Sequence, residues 1–124
     1  MPKVLIIDDE IDLAEITQTL LTKKGYQTEI SSGWENALKK LETFQPQVIL
    51  LDVFLNGIDG LEICKQLKSM PNTKHIPVIV MSAFPQVAEK ATTSEYEADD
   101  FISKPFEIND LTEKLYSVLI PKAN

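Results

Sequence analysis

Several features that often decide how a sequence is interpreted are scarce in this one. Cys64 is the single cysteine, so the 124-residue chain cannot form an internal disulfide, which agrees with a reducing compartment. Its apolar runs, such as Val48–Leu51, are far shorter than the roughly 20 residues needed to cross a bilayer. No apolar leader with a small-residue cleavage site precedes the first run. These absences predict a cytoplasmic protein without a membrane span.

Basic residues are also scarce, since 12 Lys and Arg stand against 19 Asp and Glu and give a net charge of −7. A polyanion is held largely by basic side chains on its phosphates, so direct nucleic-acid binding is not expected. No predicted helix has the basic amphipathic character of a membrane-surface segment.

The chain has no Gly, Pro or Ser tract of the kind that links domains, and its length suits one core. We therefore expect residues 1–124 to form a single domain.

Five segments are predicted to be β-strands. Val4–Ile7, Val48–Leu51 and Val78–Met81 are continuous apolar runs, which are typical of strands covered on both faces in a parallel sheet. Thr28–Ile30 and Phe101–Ile102 are shorter, and we expect them at the two edges of the sheet.

Segments with helical periodicity alternate with these strands. Three of them carry apolar stripes that are expected to pack on the sheet: Leu13, Ile16 and Leu20; Leu61, Cys64 and Leu67; and Ile108, Leu111, Leu115 and Val118. Residues 34–43 and 86–96 are predicted as two further helices. Five strands alternating with five helices predict an α/β fold with a doubly wound, five-stranded parallel sheet of order 2-1-3-4-5, the flavodoxin-like arrangement.

Polar side chains follow four of the five predicted strands. Asp8 and Asp9 follow the first strand, Asp52 the third, Ser82 the fourth and Lys104 the fifth. In a sheet of this kind, ligands bind at the carboxyl ends of the strands, so these groups should converge. Each residue alone would be an ordinary cap or turn residue, but charges gathered in a cleft usually mark function.

The carboxylates of Asp8, Asp9 and Asp52 predict a metal site. At separations of about 4 to 5 Å, each pair would repel by roughly 3 to 4 kcal/mol at an effective dielectric constant of about 20. A hard divalent cation relieves this repulsion, and Mg²⁺ favours one or two carboxylates, several waters and a phosphate oxygen. The cluster is therefore expected to bind Mg²⁺.

Asp52 is also the candidate acceptor of a phosphoryl group. A carboxylate can attack phosphorus because phosphoryl transfer depends mainly on positioning and charge neutralisation. Lys104 would offer its ammonium to the phosphoryl oxygens, and the Ser82 hydroxyl would donate a hydrogen bond to another of them. Asp52, Ser82 and Lys104 are thus the predicted catalytic set.

The order and spacing of these residues resemble the receiver domains of two-component response regulators along nearly the whole chain. The matching motifs are Asp8-Asp9, Asp52, Asp59-Gly60, Ser82-Ala83 and Lys104-Pro105-Phe106. The resemblance implies that Asp52 receives phosphate from a histidine kinase or a histidine phosphotransfer protein. It implies that Asp9, Asp52 and the Phe54 backbone carbonyl hold Mg²⁺ with help from Asp8, and that the peptide before Pro105 is cis.

The same resemblance implies a conformational switch. Ser82 would move toward the phosphoryl group, and Phe101 would turn inward. The fourth helix, fifth strand and fifth helix would then form the surface that binds a downstream protein target.

Some positions near the site bear on its behaviour. Phe54 and Phe84 occupy places that in the family control access of water to the phosphoryl group, and their apolar bulk predicts a long-lived aspartyl phosphate. Asn56 stands where the family often has proline, which leaves the conformation of the loop after Asp52 open. Glu97, which precedes Ala98, stands where the family often has glycine.

Single features of the sequence disfavour two other classes of function and leave a third open. A phosphatase with an aspartate nucleophile would normally carry a second acid where Phe54 stands, so a turnover enzyme is not expected. A flavin or nucleotide binder would place a phosphate-cradling loop where Asp8-Asp9-Glu10 would repel it. A receiver-like interaction module that is never phosphorylated remains the alternative. Cys64 is interpreted as a core residue, and His75 as an exposed loop residue rather than a phosphodonor.

Overall fold

A five-stranded parallel sheet lies at the centre of the molecule. The computed structural model describes residues 1–55 and 57–120; Asn56, where the sequence departs from the family, and the last four residues of the expected domain lie outside this range. The sheet consists of β1 (Lys3–Ile7), β2 (Gln27–Ser31), β3 (Val48–Asp52), β6 (Val78–Ser82) and β7 (Asp100–Ser103). Two short strands, β4 (Phe54–Leu55) and β5 (Ile58–Asp59), form an antiparallel hairpin after β3 that the sequence did not predict.

Helices connect these strands. They are α1 (Ile11–Lys23), α2 (Trp34–Thr43), α3 (Gly60–Ser69), α4 (Pro85–Ala91) and α5 (Ile108–Leu119). The strand order β2-β1-β3-β6-β7 confirms the predicted 2-1-3-4-5 arrangement and places the two shortest predicted strands at the edges. No helix in the described ranges is both long enough and apolar enough to span a membrane.

The core lies on both faces of the sheet. β3 and β6 are buried along their whole length, as expected for continuous apolar runs in a parallel sheet. One face packs against α2 and α3, whose buried residues include Ala37, Leu61 and the fully buried Cys64. The other face packs against α1 and α5 through residues such as Leu21 and Leu111. The core assignment of Cys64 is confirmed, and His75 is exposed as expected.

The predicted burial of one α1 stripe is wrong. Leu13, Ile16 and Leu20 are 49%, 57% and 37% exposed, whereas Ala14 and Leu21 are buried. Ala14 and Leu21 are two helical turns apart and therefore lie on one line along the helix, and this line faces the sheet. The stripe of larger residues, Leu13, Ile16 and Leu20, therefore lines an open groove of about 420 Å³, which the start of α5 also lines.

The predicted helix over residues 86–96 is too long, because α4 ends at Ala91. The chain turns back after this point, and the Ala98 N–H donates to the Ala91 carbonyl at 2.9 Å. Glu97 adopts a left-handed backbone conformation with φ of 60°, which accounts for the glycine that the family often has there.

Side chains cover the outer edge of β2. The Gln18 side-chain amide of α1 donates to the Thr28 carbonyl at 3.2 Å, and the Lys40 ammonium of α2 donates to the Ile30 carbonyl at 2.6 Å. In a parallel ladder, alternate residues point toward the neighbouring strand, and Gln27 and Ser31 are the residues that bond toward β1. Thr28 and Ile30 therefore present their carbonyls on the unpaired side of β2, where the two helices satisfy them.

Candidate functional site

Two buried carboxylates meet where β1 and β3 end. Asp8 directly follows β1, and Asp52 is the last residue of β3, which pairs with β1 through the Ile7 and Leu51 register. Asp8 is 3% exposed and Asp52 is 5% exposed. Because neighbouring parallel strands end at the same edge, the fold places the two acids side by side.

Lys104 crosses the carboxyl edge of the sheet to reach them. Its Nζ lies 2.9 Å from Asp8 Oδ2 and 3.5 Å from Asp52 Oδ2. Its backbone N–H donates to the Ser82 carbonyl at 2.8 Å, which anchors it to the end of β6. The peptide between Lys104 and Pro105 is cis, as the resemblance implied. The predicted convergence of Asp8, Asp52 and Lys104 is therefore confirmed.

A third carboxylate joins this group. Oxygens of Asp8, Glu10 and Asp52 all lie within 4.8 Å of one another, so this group could hold a metal ion. These are the hard ligands that Mg²⁺ prefers, and the donor set fits that ion. The predicted ligand Asp9 lies outside this group and is half-buried, so its role in binding metal stays a prediction. Glu10 was not predicted as a site residue, although its place before α1 and two residues after Asp8 is a usable signal.

Burial governs the charge state of Asp52. Burial raises its pKa to about 7, and the hydrogen bond and negative charge of Asp8 act in the same direction. The Lys104 ammonium and the Phe54 N–H, which donates to Asp52 Oδ1 at 3.3 Å, lower the pKa. The protonated form of Asp52 must lose its proton before the carboxylate can bind metal or attack phosphorus.

Lys104 keeps its positive charge. Burial acts to lower its pKa, but the hydrogen bond to Asp8 and the negative charges of Asp8, Asp52 and Glu10 outweigh burial, so the pKa is raised. The site thus combines a permanent cation with carboxylates, one of which holds its proton unusually tightly.

The Ser82 hydroxyl lies at the end of β6, but it is engaged with the backbone of Phe84. It accepts from the Phe84 N–H at 2.9 Å and donates to the Phe84 carbonyl at 3.1 Å. The Phe84 ring meets the Phe54 ring edge to face, with centroids 5.8 Å apart. Both rings are more than half exposed and together join the segments that follow Asp52 and Ser82.

Phe101 occupies the middle of β7 rather than the carboxylate pocket. Its ring is partly buried and lies 5.6 Å from the Lys114 ammonium of α5, which also pairs with Asp100 at 3.2 Å. The predicted switch residue is therefore held between β7 and α5.

Gly60 fixes the segment behind Asp52. Its N–H donates to the Val53 carbonyl at 2.6 Å at the start of α3, and the Asp59 carboxylate caps that helix by accepting from the Leu61 N–H. A Cβ on Gly60 would lie 2.6 Å from both the Cα and the carbonyl oxygen of Val53 and would also contact the Asp52 carbonyl. Only glycine fits this approach of two backbones without displacing one of them.

Comparison with known proteins agrees with the fold and the site. Residues 4–116 match the response regulator receiver domain family. The chain is 35% identical over 117 residues to the alkaline phosphatase synthesis transcriptional regulatory protein PhoP of Bacillus subtilis, covering 94% of this chain and 48% of that protein. It is also 35% identical over 119 residues to the response regulator ArlR of Staphylococcus haemolyticus, covering 96% and 53%. The chain spans about half the length of these curated relatives.

Solved structures give the same result. The chemotaxis response regulator CheY4 of Vibrio cholerae aligns with a TM-score of 0.85 and 27% identity over 96% of this chain and 99% of that one. A two-component response regulator from Clostridium difficile aligns with a TM-score of 0.84 and 26% identity over 96% of both chains. This chain belongs to the receiver domain family of response regulators, and it is a signalling switch of that class.

Proposed function

We propose that this chain, acting as one domain over residues 1–124, accepts a phosphoryl group on Asp52 in an Mg²⁺-dependent reaction. The observation that carries the proposal is the contact of Lys104 with both Asp8 and Asp52 at the end of the sheet. One acid in this arrangement is buried at the end of a central strand, and one fixed cation lies beside it. Such a site suits a transfer in which charge must be neutralised at a defined point.

In the proposed reaction, deprotonated Asp52 attacks the phosphorus of a phosphohistidine. A new O–P bond forms as the P–N bond breaks, and the electron pair of that bond returns to the imidazole. Response regulators interact with histidine kinases and histidine phosphotransfer proteins, and we propose that one of these is the donor. The chain would promote its own phosphorylation and dephosphorylation at Asp52 rather than turn over external substrates, and it would act in the cytoplasm.

Mg²⁺ supplies positive charge to the phosphoryl oxygens when it is bound. We propose that Asp8, Asp9, Asp52 and the Phe54 backbone carbonyl hold it. Lys104 would also contact the phosphoryl oxygens, because its ammonium already lies 3.5 Å from Asp52. The metal and the ammonium together would neutralise the charge that Asp52 alone could not stabilise.

The same phosphoryl group would operate the switch. Its oxygens are stronger hydrogen-bond acceptors than the Phe84 carbonyl, so the Ser82 hydroxyl would leave Phe84 for them. Phe101 would leave the Lys114 ammonium and turn inward. A change in state from 1:99 to 99:1 requires about 5.5 kcal/mol of preference for the active state. The downstream target would bind to α4, β7 and α5.

The exposed stripe of α1 is a suitable contact for the donor protein. A phosphohistidine must come within about 3 to 3.5 Å of the Asp52 oxygen, so its carrier must cover the surface around the site. The groove beside Leu13, Ile16 and Leu20 is continuous with that site, since Asp8 and Lys104 line the same groove. Clustered exposed apolar side chains of this kind mark protein interfaces.

Intact mass tests the acceptor directly. The chain is incubated with acetyl phosphate and Mg²⁺, and the native chain is compared with Asp52→Asn. We expect one phosphoryl adduct that requires Mg²⁺ and is lost in the variant. If no adduct forms under any condition, the chain is instead an interaction module that is never phosphorylated.

The lifetime of the adduct tests the role of the ring pair. The edge-to-face pair of Phe54 and Phe84 joins the segments that follow Asp52 and Ser82, and its apolar surface would disfavour water near the acceptor, so we propose slow decay of the aspartyl phosphate. Phe54→Asn should accelerate that decay. Fast decay that this substitution leaves unchanged would contradict the proposal.

A further inference from the structure

Glu10 lies at the entrance of the acceptor site. It precedes α1, and its backbone N–H donates to Asp8 Oδ1 at 3.0 Å, which fixes its position relative to the buried acids. Its side chain is 58% exposed, and its Oε1 lies 3.9 Å from the Lys104 ammonium. Lys104 is therefore close to buried Asp8 and Asp52 and also to an exposed carboxylate.

This position gives Glu10 two effects on an arriving anion. Its charge repels the anion directly, because its carboxylate lies within 4.8 Å of that of Asp52. It also weakens the attraction of Lys104 for the anion, because the Glu10 carboxylate 3.9 Å away offsets part of the charge of the ammonium. Both effects grow with the charge of the donor and shrink in high salt.

We propose that Glu10 is a specificity-determining residue that discriminates among small phosphodonors by charge and disfavours dianions. The inference rests on the proposed acceptance of a phosphoryl group by Asp52. It concerns how readily different donors reach that acceptor, and the Mg²⁺ dependence of each variant separates this effect from any contribution of Glu10 to the metal site.

The size of the effect follows from the distance. A phosphorus atom bonded to Asp52 would lie about 6 Å from the Glu10 carboxylate, where water-like screening gives about a threefold change in rate per unit of donor charge. A dianion should therefore be disfavoured about tenfold by Glu10 at low ionic strength, and a monoanion about threefold. The Debye length falls from about 30 Å at 0.01 M salt to about 3 Å at 1 M, so high salt should abolish most of the difference.

Rates of adduct formation at Asp52 test the proposal. Native chain, Glu10→Gln and Glu15→Gln are compared at pH 7 with acetyl phosphate, which is a dianion at that pH, and with phosphoramidate, which carries mainly one net negative charge there. Glu15 is an exposed acid of α1, about one and a half turns beyond Glu10, and it is not among the ion-pair partners of Lys104 in the described part of the chain, so it is the matched control. The second-order rate constant and the Mg²⁺ dependence are measured by intact mass at 0.02 M and 1 M salt.

Glu10→Gln should raise the rate constant about tenfold for acetyl phosphate and about threefold for phosphoramidate at low salt. High salt should bring the variant close to the native chain, and Glu15→Gln should stay within a factor of two throughout. Glu10→Lys should give a larger increase than Glu10→Gln, because it places a cation where the anion arrives.

Three results would overturn the inference: equal rates for Glu10→Gln and native chain, equal acceleration with both donors, or acceleration that survives 1 M salt. If the native chain forms the adduct and one of these results is found, only the role of Glu10 is refuted, and acceptance by Asp52 stands. Absence of an adduct in every chain refutes the acceptor function and this inference together.

Discussion

Replacing Gly60 by alanine should damage both the stability and the site. The added Cβ would lie 2.6 Å from the Cα and carbonyl oxygen of Val53, about 0.8 Å closer than ordinary contact allows. Both obstacles are backbone atoms of the segment that follows Asp52, so no side chain can rotate away. Overpacking of this kind costs about 1 to 3 kcal/mol, and the rigid partner places Gly60→Ala near the upper value.

Gly25→Ala provides the matched control. Gly25 has φ of 96° at the end of α1, and a Cβ there would meet nothing within 4 Å. Gly25→Ala should lower the free energy of unfolding by only about 1 kcal/mol, which is the cost of placing alanine in the left-handed conformation. Urea unfolding followed by Trp34 fluorescence measures both variants, because Trp34 packs against the core.

The two variants should separate clearly in this assay. A loss of about 3 kcal/mol corresponds to a midpoint lowered by roughly 2 M urea for a chain of this size. Gly60→Ala should also slow formation of the Asp52 adduct, since the displaced segment carries the Asp52 carbonyl. A Gly60→Ala midpoint no lower than that of Gly25→Ala would refute the steric argument.

Three further predictions concern single side chains. Burial raises the pKa of the Cys64 thiol to about 12, so at pH 8 the native chain should react with iodoacetamide at least a thousandfold more slowly than the urea-unfolded chain; comparable rates would show that the thiol is accessible. The pKa of Asp52 is higher in the folded chain than in the unfolded one, so without metal its contribution to stability is present at low pH and is lost as pH rises from about 4 to 7. Asp52→Asn should therefore stabilise the EDTA-treated chain increasingly between pH 5 and 8 in urea unfolding, and a constant difference would contradict this sign. Lys104→Met should slow adduct formation by about 10²-fold while Mg²⁺ binding, followed by thermal shift, is retained or strengthened; equal loss of both would indicate a misfolded site.

The sheet and most of the site could be predicted because strand runs and strand ends are local signals. Continuous apolar runs identified β1, β3 and β6, and the rule that ligands bind at strand ends predicted that Asp8, Asp52 and Lys104 lie together.

Features that depend on the rotation of a helix or on a tight turn were not predictable in this way. Periodicity identified α1 but could not decide between its two neighbouring stripes, and the sheet selected Ala14 and Leu21 over the larger residues. The end of α4 depends on the turn at Glu97, which sequence alone does not place in a left-handed conformation. The contact of Ser82 with Phe84 and that of Glu10 with Lys104 arise from side-chain rotamers.

The covered edge of β2 bears on whether the chain aggregates with other chains. An exposed strand edge can pair with a strand of another chain and begin aggregation. A signalling protein must keep a surface free for its partners without exposing such an edge. A foreign strand that approached β2 would first have to displace Gln18 and Lys40 from the carbonyls they satisfy, at a cost of about 1 kcal/mol for Gln18 and about 1.5 to 3 kcal/mol for the charged Lys40. Two side chains from two different helices therefore oppose pairing of a foreign strand at this edge of the sheet.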